Sequence, residues 1–200
     1  MKPLSLSGPR PNGRLSKKAK RQGRTLVFID ESGFMLQPTV RRSWAPRGQT
    51  PIHHSWDRHD RLSVTGAITV SPIQKRLGFY FSMTDRNLTG DDLFSFVQQL
   101  HGHLRRPLLV IWDRFSGHKK AARLLNAIYG RRIQIDYLPA YAPDLNVVDH
   151  AWGHTKYGEM ANFIPENLDD LAQEIAKSLL AKHQRSDLLR SFFTHARLDL

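Results

Sequence analysis

Two apolar runs that each end in an aspartate constrain the fold of this chain more than any other feature. The first is Thr25-Leu-Val-Phe-Ile-Asp30 and the second is Pro107-Leu-Leu-Val-Ile-Trp-Asp113. Short apolar runs of this kind are typical of buried β-strands. Because ligands of open α/β sheets bind outside the carboxyl ends of strands, Asp30 and Asp113 are expected at one functional edge of a sheet.

A third aspartate, Asp149, follows the stretch Tyr141-Ala-Pro-Asp-Leu-Asn146, which begins as a turn and continues as a helix. We expect Pro143 to open that helix and Asp144 to lie near its positive end. Apolar side chains recur there at helical spacing, at Leu145, Val148 and Trp152. Three carboxylates at one place repel one another, and an oxygen-liganded Mg²⁺ or Mn²⁺ would remove that repulsion.

The remaining patterns predict an α/β fold. Residues 61–70 and 77–83 look like an antiparallel pair, and a further strand is expected over 133–138. Helical spacing predicts helices around 93–100 and 168–179, and another over about 119–129. Thr89 is the expected N-cap of the first of these, with Asp91 and Asp92 in structural roles. The result is a mixed five-stranded sheet, three antiparallel strands continued by parallel strands and flanked by helices.

Four segments of the chain, in this order, resemble the Tc/mariner transposase superfamily, in particular the bacterial insertion sequence 630 family. They are Ile29-Asp-Glu-Ser-Gly-Phe34, Trp44-Ala-Pro-Arg-Gly-Gln-Thr-Pro51, Asp113 with His118, and Tyr141-Ala-Pro-Asp-Leu-Asn146 leading to Asp149. Most bacterial members have glutamate at the third acidic position, whereas mariner-type relatives have aspartate, as here. The four segments together are more specific than any one of them.

The resemblance implies a ribonuclease H-like catalytic domain for DNA cleavage and strand transfer of an insertion sequence. Its acidic triad maps onto Asp30, rather than the neighbouring Glu31, and onto Asp113 and Asp149. These three would hold two Mg²⁺ ions, with Mn²⁺ as a substitute. His118 is either an accessory residue that orients a carboxylate or contacts substrate, or a surface histidine. The implied partners are double-stranded DNA with inverted-repeat ends and a TA target, a second copy of the chain on DNA, and an upstream helix-turn-helix subunit or fused frame.

Basic residues are concentrated at the N-terminus. Residues 1–24 hold eight Lys or Arg and no acid, within a net charge of +12. Such a composition is typical of a disordered segment, so we expect a basic tail over 1–24 and one catalytic domain over 25–200. Cations of the tail and of a hairpin expected over 41–48 would contact DNA phosphates: Lys17, Lys18, Lys20, Arg21, Arg41, Arg42 and Arg47.

Other interpretations stay open. His150 and His154 lie four residues apart, a spacing that can place two zinc ligands on one helix face, although the glutamate of the usual zinc-protease motif is missing. His53, His54 and His59 form a looser cluster, expected to be a polar loop. The chain could also be a ribonuclease H-like nuclease that only hydrolyses, or a non-catalytic DNA-binding remnant of a transposase.

Composition and hydropathy restrict the metal sites and the membrane segments that the chain can contain. The chain has no cysteine, which excludes disulfides and thiolate metal sites. No apolar run approaches the roughly 18 residues of a membrane span, and the N-terminus lacks the apolar centre of a signal peptide. We therefore expect a soluble protein with no membrane partner, and the resemblance implies that it is a cytoplasmic, nucleoid-associated bacterial protein.

Overall fold

The computed structural model of the chain describes residues 11–50, 52, 60–73, 75–139 and 143–198, with only the backbone described for 11–15 and 143. Its five strands are β1 Thr25–Met35, β2 Arg61–Val70, β3 Leu77–Thr84, β4 Leu108–Trp112 and β5 Ile133–Tyr137. They form one sheet in the order β3-β2-β1-β4-β5. The β1–β2 and β2–β3 pairs are antiparallel, and the β1–β4 and β4–β5 pairs are parallel. The predicted mixed sheet is confirmed.

Six α-helices lie in the described part of the chain: α1 Pro11–Arg21, α2 Gly90–Leu104, α3 Ser116–Tyr129, α4 Val147–His154, α5 Leu168–His183 and α6 Ser186–His195. A π-helical turn, Thr155–Glu159, continues α4. The final helix predicted from periodicity is α5, and a further helix, α6, buries Phe192 and Phe193 as expected. None of the described helices is both long and apolar enough to cross a membrane.

Side chains of β1 alternate between two cores, one on each face of the sheet. Leu26 and Phe28 belong to the core that also contains residues of α4, α5 and α6. Val27 and Ile29 belong to the core that contains residues of α2 and α3. Because successive strand residues point to opposite faces, the next two residues of β1, Asp30 and Glu31, also lie on opposite faces of the sheet. Asp30 lies on the α4 side, and Glu31 lies on the α3 side.

The start of α2 has the cap that its sequence predicts. Thr89 accepts a hydrogen bond from the backbone of Asp92, whose carboxylate in turn accepts from the Thr89 backbone at 2.8 Å. Arg86 donates two further hydrogen bonds to Asp92, and Lys120 pairs with Asp91 at 2.6 Å. This reciprocal arrangement satisfies two backbone donors at once, and both acids are structural, as predicted.

The segment expected to be a disordered tail is helical from residue 11 to residue 21. Gly23 ends this helix at φ +62, with Gly23 N donating to Lys20 O and Arg24 N donating to Ala19 O. This is a Schellman motif, a helix-ending signal that depends on glycine. Ala19 is buried against the main core. The expectation of disorder was therefore wrong for 11–21, and residues 1–10 lie outside the described part of the chain.

The basic hairpin expected over 41–48 is also absent from the described structure. Residues 36–50 contain no strand, and Trp44 is fully exposed at 102%. Instead β1 continues past Gly33 to Met35, which pairs with Arg61 at the start of β2. The strand runs through Gly33 because β2 pairs with β1 from Leu26 to Met35. His53, His54 and His59 lie outside the described residues.

Candidate active site

Three carboxylates come together at the carboxyl end of the parallel strands. Asp30 belongs to β1, Asp113 directly follows β4, and Asp149 lies in the first turn of α4. Burial, followed by the negative charges of Glu31, Asp149 and Asp113, raises the pKa of Asp30 to about 7. The predicted triad therefore forms one electrostatic cluster in the structure. The catalytic role of each acid remains a prediction.

Trp152 links Asp30 to α4. Its indole N–H donates to Asp30 Oδ2 at 3.1 Å, which partly opposes the rise in the pKa of Asp30. Gly66 of β2, directly opposite Asp30 in the sheet, allows this close packing. A Cβ at Gly66 would lie 2.6 Å from the Trp152 ring, closer than real Cβ atoms approach their neighbours. A glycine at this position therefore makes room for the ring that holds Asp30.

Asn146 positions the helix that carries Asp149. Its side-chain oxygen accepts from Val148 N at 3.2 Å, and its amide donates to Ile29 O at 3.0 Å. The first bond caps α4, and the second ties that cap to the strand residue just before Asp30. The predicted helix start at Pro143 was wrong, because Pro143–Leu145 forms a separate 3₁₀ turn. Tyr141 and Ala142 of the same motif lie outside the described residues.

His118 bridges the second acid and the neighbour of the first. Its Nδ1 is 2.5 Å from Asp113 Oδ1, and its Nε2 is 2.9 Å from Glu31 Oε1. The ring is fully buried and stacks on Trp112 with a centroid distance of 4.6 Å. Burial lowers the pKa of His118, but the hydrogen bonds and charges of Glu31 and Asp113 outweigh this and raise it overall. A protonated ring can donate to both carboxylates.

Lys156 lies in the π-helical turn, close to two acids of the triad. Burial lowers its pKa, and the charges of Asp149 and Asp30 act in the opposite direction. The turn ends at Glu159, whose carboxylate contacts the fully buried Lys182 and accepts from Ser178 at 2.5 Å. A buried ion pair thus anchors the turn that presents Lys156 to the acidic cluster.

Sequence reasoning missed four residues of this site: Glu31 as the partner of His118, Asn146, Trp152 as a donor, and Lys156. Trp152 was assigned only to the apolar stripe, although a buried indole N–H usually requires an acceptor. Lys156 follows Asp149 by seven residues, two helical turns along the same face, which is a signal that the sequence does contain. The Glu31–His118 contact joins residues 87 apart, and no local pattern indicates it.

An open groove of about 570 Å³ lies beside the cluster. Asp30, Glu31 and Asp113 line it together with Arg61 and Asn87, which contact each other through their side chains. The ring of Phe115, about half exposed at 51%, lies on the same groove. The groove therefore presents three carboxylates and one cation beside the ring of Phe115.

The basic residues predicted to contact DNA are dispersed. Arg41 lies over the Tyr157 ring at 5.0 Å, next to the turn that carries Lys156, while Arg42 and Arg47 are exposed in the following loop. In α1, Lys18 pairs with Asp136 at 3.0 Å and so is engaged within the protein. Lys17, Lys20 and Arg21 are exposed. Their contacts with DNA remain predictions.

The two histidines of the rival zinc site have separate partners. His150 Nε2 is 3.3 Å from Asp144 O, and His154 Nδ1 is 3.5 Å from Glu159 Oε1. Within the described ranges, no group of three or more His, Asp or Glu side chains forms a ready-made metal site. The donor set around Asp30 nevertheless suits a hard divalent cation, because the charges of Glu31, Asp149 and Asp113 add to burial in raising the pKa of Asp30, and a cation would relieve that repulsion.

Comparison with known proteins adds a family and a fold. The family model for DDE superfamily endonucleases matches residues 25–171. The Mos1 strand transfer complex is similar in fold, with a TM-score of 0.64 at 14% identity, covering 98% of this chain and 63% of that one. The Mos1 mariner paired end complex with Mn gives 0.63 at 13%, covering 98% and 64%. The corresponding complex with Mg gives 0.60 at 12%, covering 98% and 65%.

At these identities the likeness establishes the fold, and the predicted ribonuclease H-like architecture is confirmed. The chain spans less than two thirds of each of these Mos1 chains. No curated protein matches it.

Proposed function

Since the chain belongs to the DDE superfamily endonucleases, we propose that it is the catalytic domain of a Tc/mariner-type transposase of the insertion sequence 630 kind. The observation that carries the proposal is the convergence of Asp30, Asp113 and Asp149 in this fold, where burial and the neighbouring negative charges raise the pKa of Asp30 to about 7. The family match covers all three acids. Residues 25–200 would form the catalytic domain.

The three carboxylates would hold two divalent ions, with Asp30 contributed by β1, Asp113 by the end of β4 and Asp149 by α4. Bound Mg²⁺ or Mn²⁺ would activate the attacking oxygen and stabilise the leaving oxygen at phosphorus. His118 would be a positioning residue, because it bonds Asp113 from a fully buried position. Lys156, beside Asp30 and Asp149, would contact a non-bridging phosphate oxygen.

The reaction would be phosphoryl transfer to water or to a DNA 3′-hydroxyl. With water, a new oxygen–phosphorus bond forms, the bond to the 3′-oxygen breaks, and the strand is cut. With a 3′-hydroxyl, the same exchange joins two strands and releases the 3′-oxygen of the target. The Mos1 paired end complexes with Mn and with Mg support the use of a divalent metal by this chain.

The substrate would be double-stranded DNA with inverted-repeat ends, inserted at a TA target. A pair of chains would act on it, consistent with the paired-end assemblies of the Mos1 relatives. A helix-turn-helix unit, fused or separate, would read the ends in the major groove. Arg41, Arg42 and Arg47, together with Lys17, Lys20 and Arg21 of α1, would contact phosphates.

Cleavage and joining of labelled element ends in Mg²⁺ test the proposal. Asp30→Asn, Asp113→Asn and Asp149→Asn should each abolish both reactions while the circular dichroism spectrum stays unchanged. Asp169→Asn, in the first turn of α5, is the matched control and should retain activity. Wild-type activity in any triad variant removes that acid from the site. Cutting without joining would leave a hydrolytic nuclease as the function.

A further inference from the structure

Four chain connections, the first taken together with the last turn of α1, meet at the end of the sheet opposite the acidic cluster, and each contains two adjacent basic residues. These pairs are Lys20-Arg21 before β1, Lys75-Arg76 between β2 and β3, Arg105-Arg106 before β4 and Arg131-Arg132 before β5. The segments 19–24, 71–76, 104–107 and 129–133 contain no acid. We call this surface the basic pole.

Backbone contacts place these connections side by side. Thr25 N donates to Pro107 O at 2.9 Å. The Arg24 guanidinium donates to the backbone oxygens of Leu108, Arg131 and Arg132 at 3.2, 2.6 and 3.2 Å. On the other side Leu26 pairs with Val70, which immediately precedes the β2–β3 turn. The order β2-β1-β4-β5 therefore makes the four connections one row along the sheet edge, about 15 Å long at about 4.8 Å per strand.

The arginines of the pole are available to a ligand. Arg76, Arg105, Arg106, Arg131 and Arg132 are all exposed. None of them makes an ion pair with an acid in the part of the chain that the structure describes. Their positive field reaches neighbouring groups: the pKa of His101 is lowered first by burial and then by the charge of Arg132.

The pole and the acidic cluster lie at opposite ends of the sheet, so a straight duplex lying across one does not also lie across the other. Five residue steps of β1 separate Thr25 from Asp30, about 17 Å at about 3.3 Å per residue, and the pole faces the other way. We infer that the basic pole is a second DNA-binding surface, which holds the phosphates of a duplex segment other than the one at the active site. Choosing DNA as the polyanion rests on the proposed function.

Duplex DNA suits this surface better than a single anion does. A row about 15 Å long faces several phosphates, because a duplex carries one charge per about 1.7 Å of its axis. Guanidinium groups can bond phosphate oxygens in pairs, and this contact does not depend on base sequence. The surface would therefore tether flanking or target DNA without selecting it.

Equilibrium binding of a labelled duplex of about 20 base pairs, measured by fluorescence anisotropy over a salt series in EDTA, tests this surface. The pole variant is R105Q/R106Q/R131Q/R132Q. Each lost phosphate contact should lower the slope of log affinity against log salt by about 0.9, so the slope should fall by up to about 3.6. Affinity at about 100 mM salt should fall at least tenfold.

The control variant K119Q/R123Q/R190Q/R197Q also removes four exposed cations, so both variants lower the net charge from +12 to +8 by the same subtraction of four. Each set includes one residue at positive φ, Arg105 at 52 and Arg197 at 55. The control slope should fall by less than about 1, roughly one phosphate contact. Equal losses in both variants would show that only net charge matters and would overturn the proposal.

Two further measurements keep the result unambiguous. The charge-retaining variant R105K/R106K/R131K/R132K should keep the wild-type slope, and its failure to do so would assign the loss to folding and contradict the proposal. Wild-type protein should bind two duplexes of about 12 base pairs per chain and the pole variant one. A single duplex in both would overturn a second surface.

Binding to anionic lipid vesicles and to an RNA hairpin completes the test. If the pole variant loses either of these while keeping its duplex affinity, the surface serves that polymer or membrane and the DNA proposal fails. Because all binding is measured in EDTA, this outcome does not depend on catalysis. If the chain shows no cleavage activity, the proposed function is overturned. The duplex-binding measurements in EDTA then still decide whether the basic pole binds DNA.

Discussion

Trp152 donates its indole N–H to the Asp30 carboxylate across 3.1 Å, joining the core of the protein to its acidic cluster. The same ring packs edge-on against Phe34 and Phe79, with centroids at 6.1 and 6.2 Å. Asp30 is therefore held by a side chain that the core itself fixes. The packing of α4 on the sheet and the orientation of Asp30 depend on one residue.

Trp152→Phe should weaken Mg²⁺ binding because it removes the donor that holds the Asp30 carboxylate. Loss of a hydrogen bond to a charged group should lower the free energy of unfolding by about 1–3 kcal/mol. The pKa of Asp30 should rise further, since the Trp152 bond lowers it. Urea unfolding and calorimetric Mg²⁺ titration measure these effects. Trp44→Phe, at a fully exposed ring, should change neither, and equal Mg²⁺ affinity in both variants would contradict the assignment.

Much of the fold follows from local patterns. The apolar runs of β1 and β4, the β-rich run of β2 and the apolar spacing of α2 and α5 each predict their element, because these strands are largely buried on both faces and each of the two helices buries one apolar stripe. The convergence of Asp30 and Asp113 follows in turn, because parallel strands end at the same edge.

The remaining features depend on tertiary contacts. Helix α1 exists because Ala19 reaches the core and Gly23 ends the helix, whereas its composition is that of a solvated tail. The loop after β1 looked like a hairpin because Trp44 and its neighbouring turn residues resemble one, yet Trp44 contacts no core. The Glu31–His118–Asp113 bridge joins β1 to α3 across the sheet edge, which residue spacing alone does not reveal.

Asp30→Asn should stabilise the metal-free protein at neutral pH and have little effect near pH 4. The folded-state pKa of Asp30 is about 7 against a usual 3.8, so the native state binds this proton more tightly than the unfolded chain does. Stability of the wild type therefore falls as pH rises from about 4 to about 7, and the penalty is complete above 7.

At about 1.4 kcal/mol per pKa unit, the rise of the Asp30 pKa from 3.8 to about 7 limits the gain in the free energy of unfolding to about 4 kcal/mol. Because the neighbouring acids titrate together with Asp30, the expected gain is about 2 kcal/mol. Melting curves in EDTA at pH 5 and pH 8 give the difference between the two proteins. Mg²⁺ should raise the melting temperature of the wild type more than that of the variant. A gain that does not change with pH would show that Asp30 is ionised without penalty.

His118→Gln should weaken the metal site more than it slows the reaction at saturating metal. Outer-shell partners of metal ligands contribute about 10- to 100-fold in affinity, and His118 bonds Asp113 at 2.5 Å. Glu31→Gln should produce a smaller change in the same direction, because it leaves the imidazole in place. Cleavage rates across a Mg²⁺ series separate affinity from maximal rate. His103→Gln, at an exposed ring, is the control, and an unchanged Mg²⁺ midpoint in the His118 variant would remove its positioning role.

Lys182→Ala should destabilise the fold through Glu159 rather than through lost packing alone. Lys182 is fully buried and contacts Glu159 and Ser178, so its removal leaves a partly buried carboxylate without its cation. Breaking a buried pair costs about 3–5 kcal/mol, and the 32% exposure of Glu159 places this pair near the lower end, about 3 kcal/mol. Urea unfolding measures the loss.

The control for this pair is Lys177→Ala, whose partner Glu174 lies 3.0 Å away on an exposed face of the same helix. That substitution should cost less than about 1 kcal/mol. The double variant Lys182→Met with Glu159→Gln should recover most of the stability, because no unpaired charge then remains. Since Glu159 ends the turn that presents Lys156, Lys182→Ala should also weaken DNA binding in the folded protein. Equal losses for Lys182→Ala and Lys177→Ala would show that the buried pair does not anchor this turn.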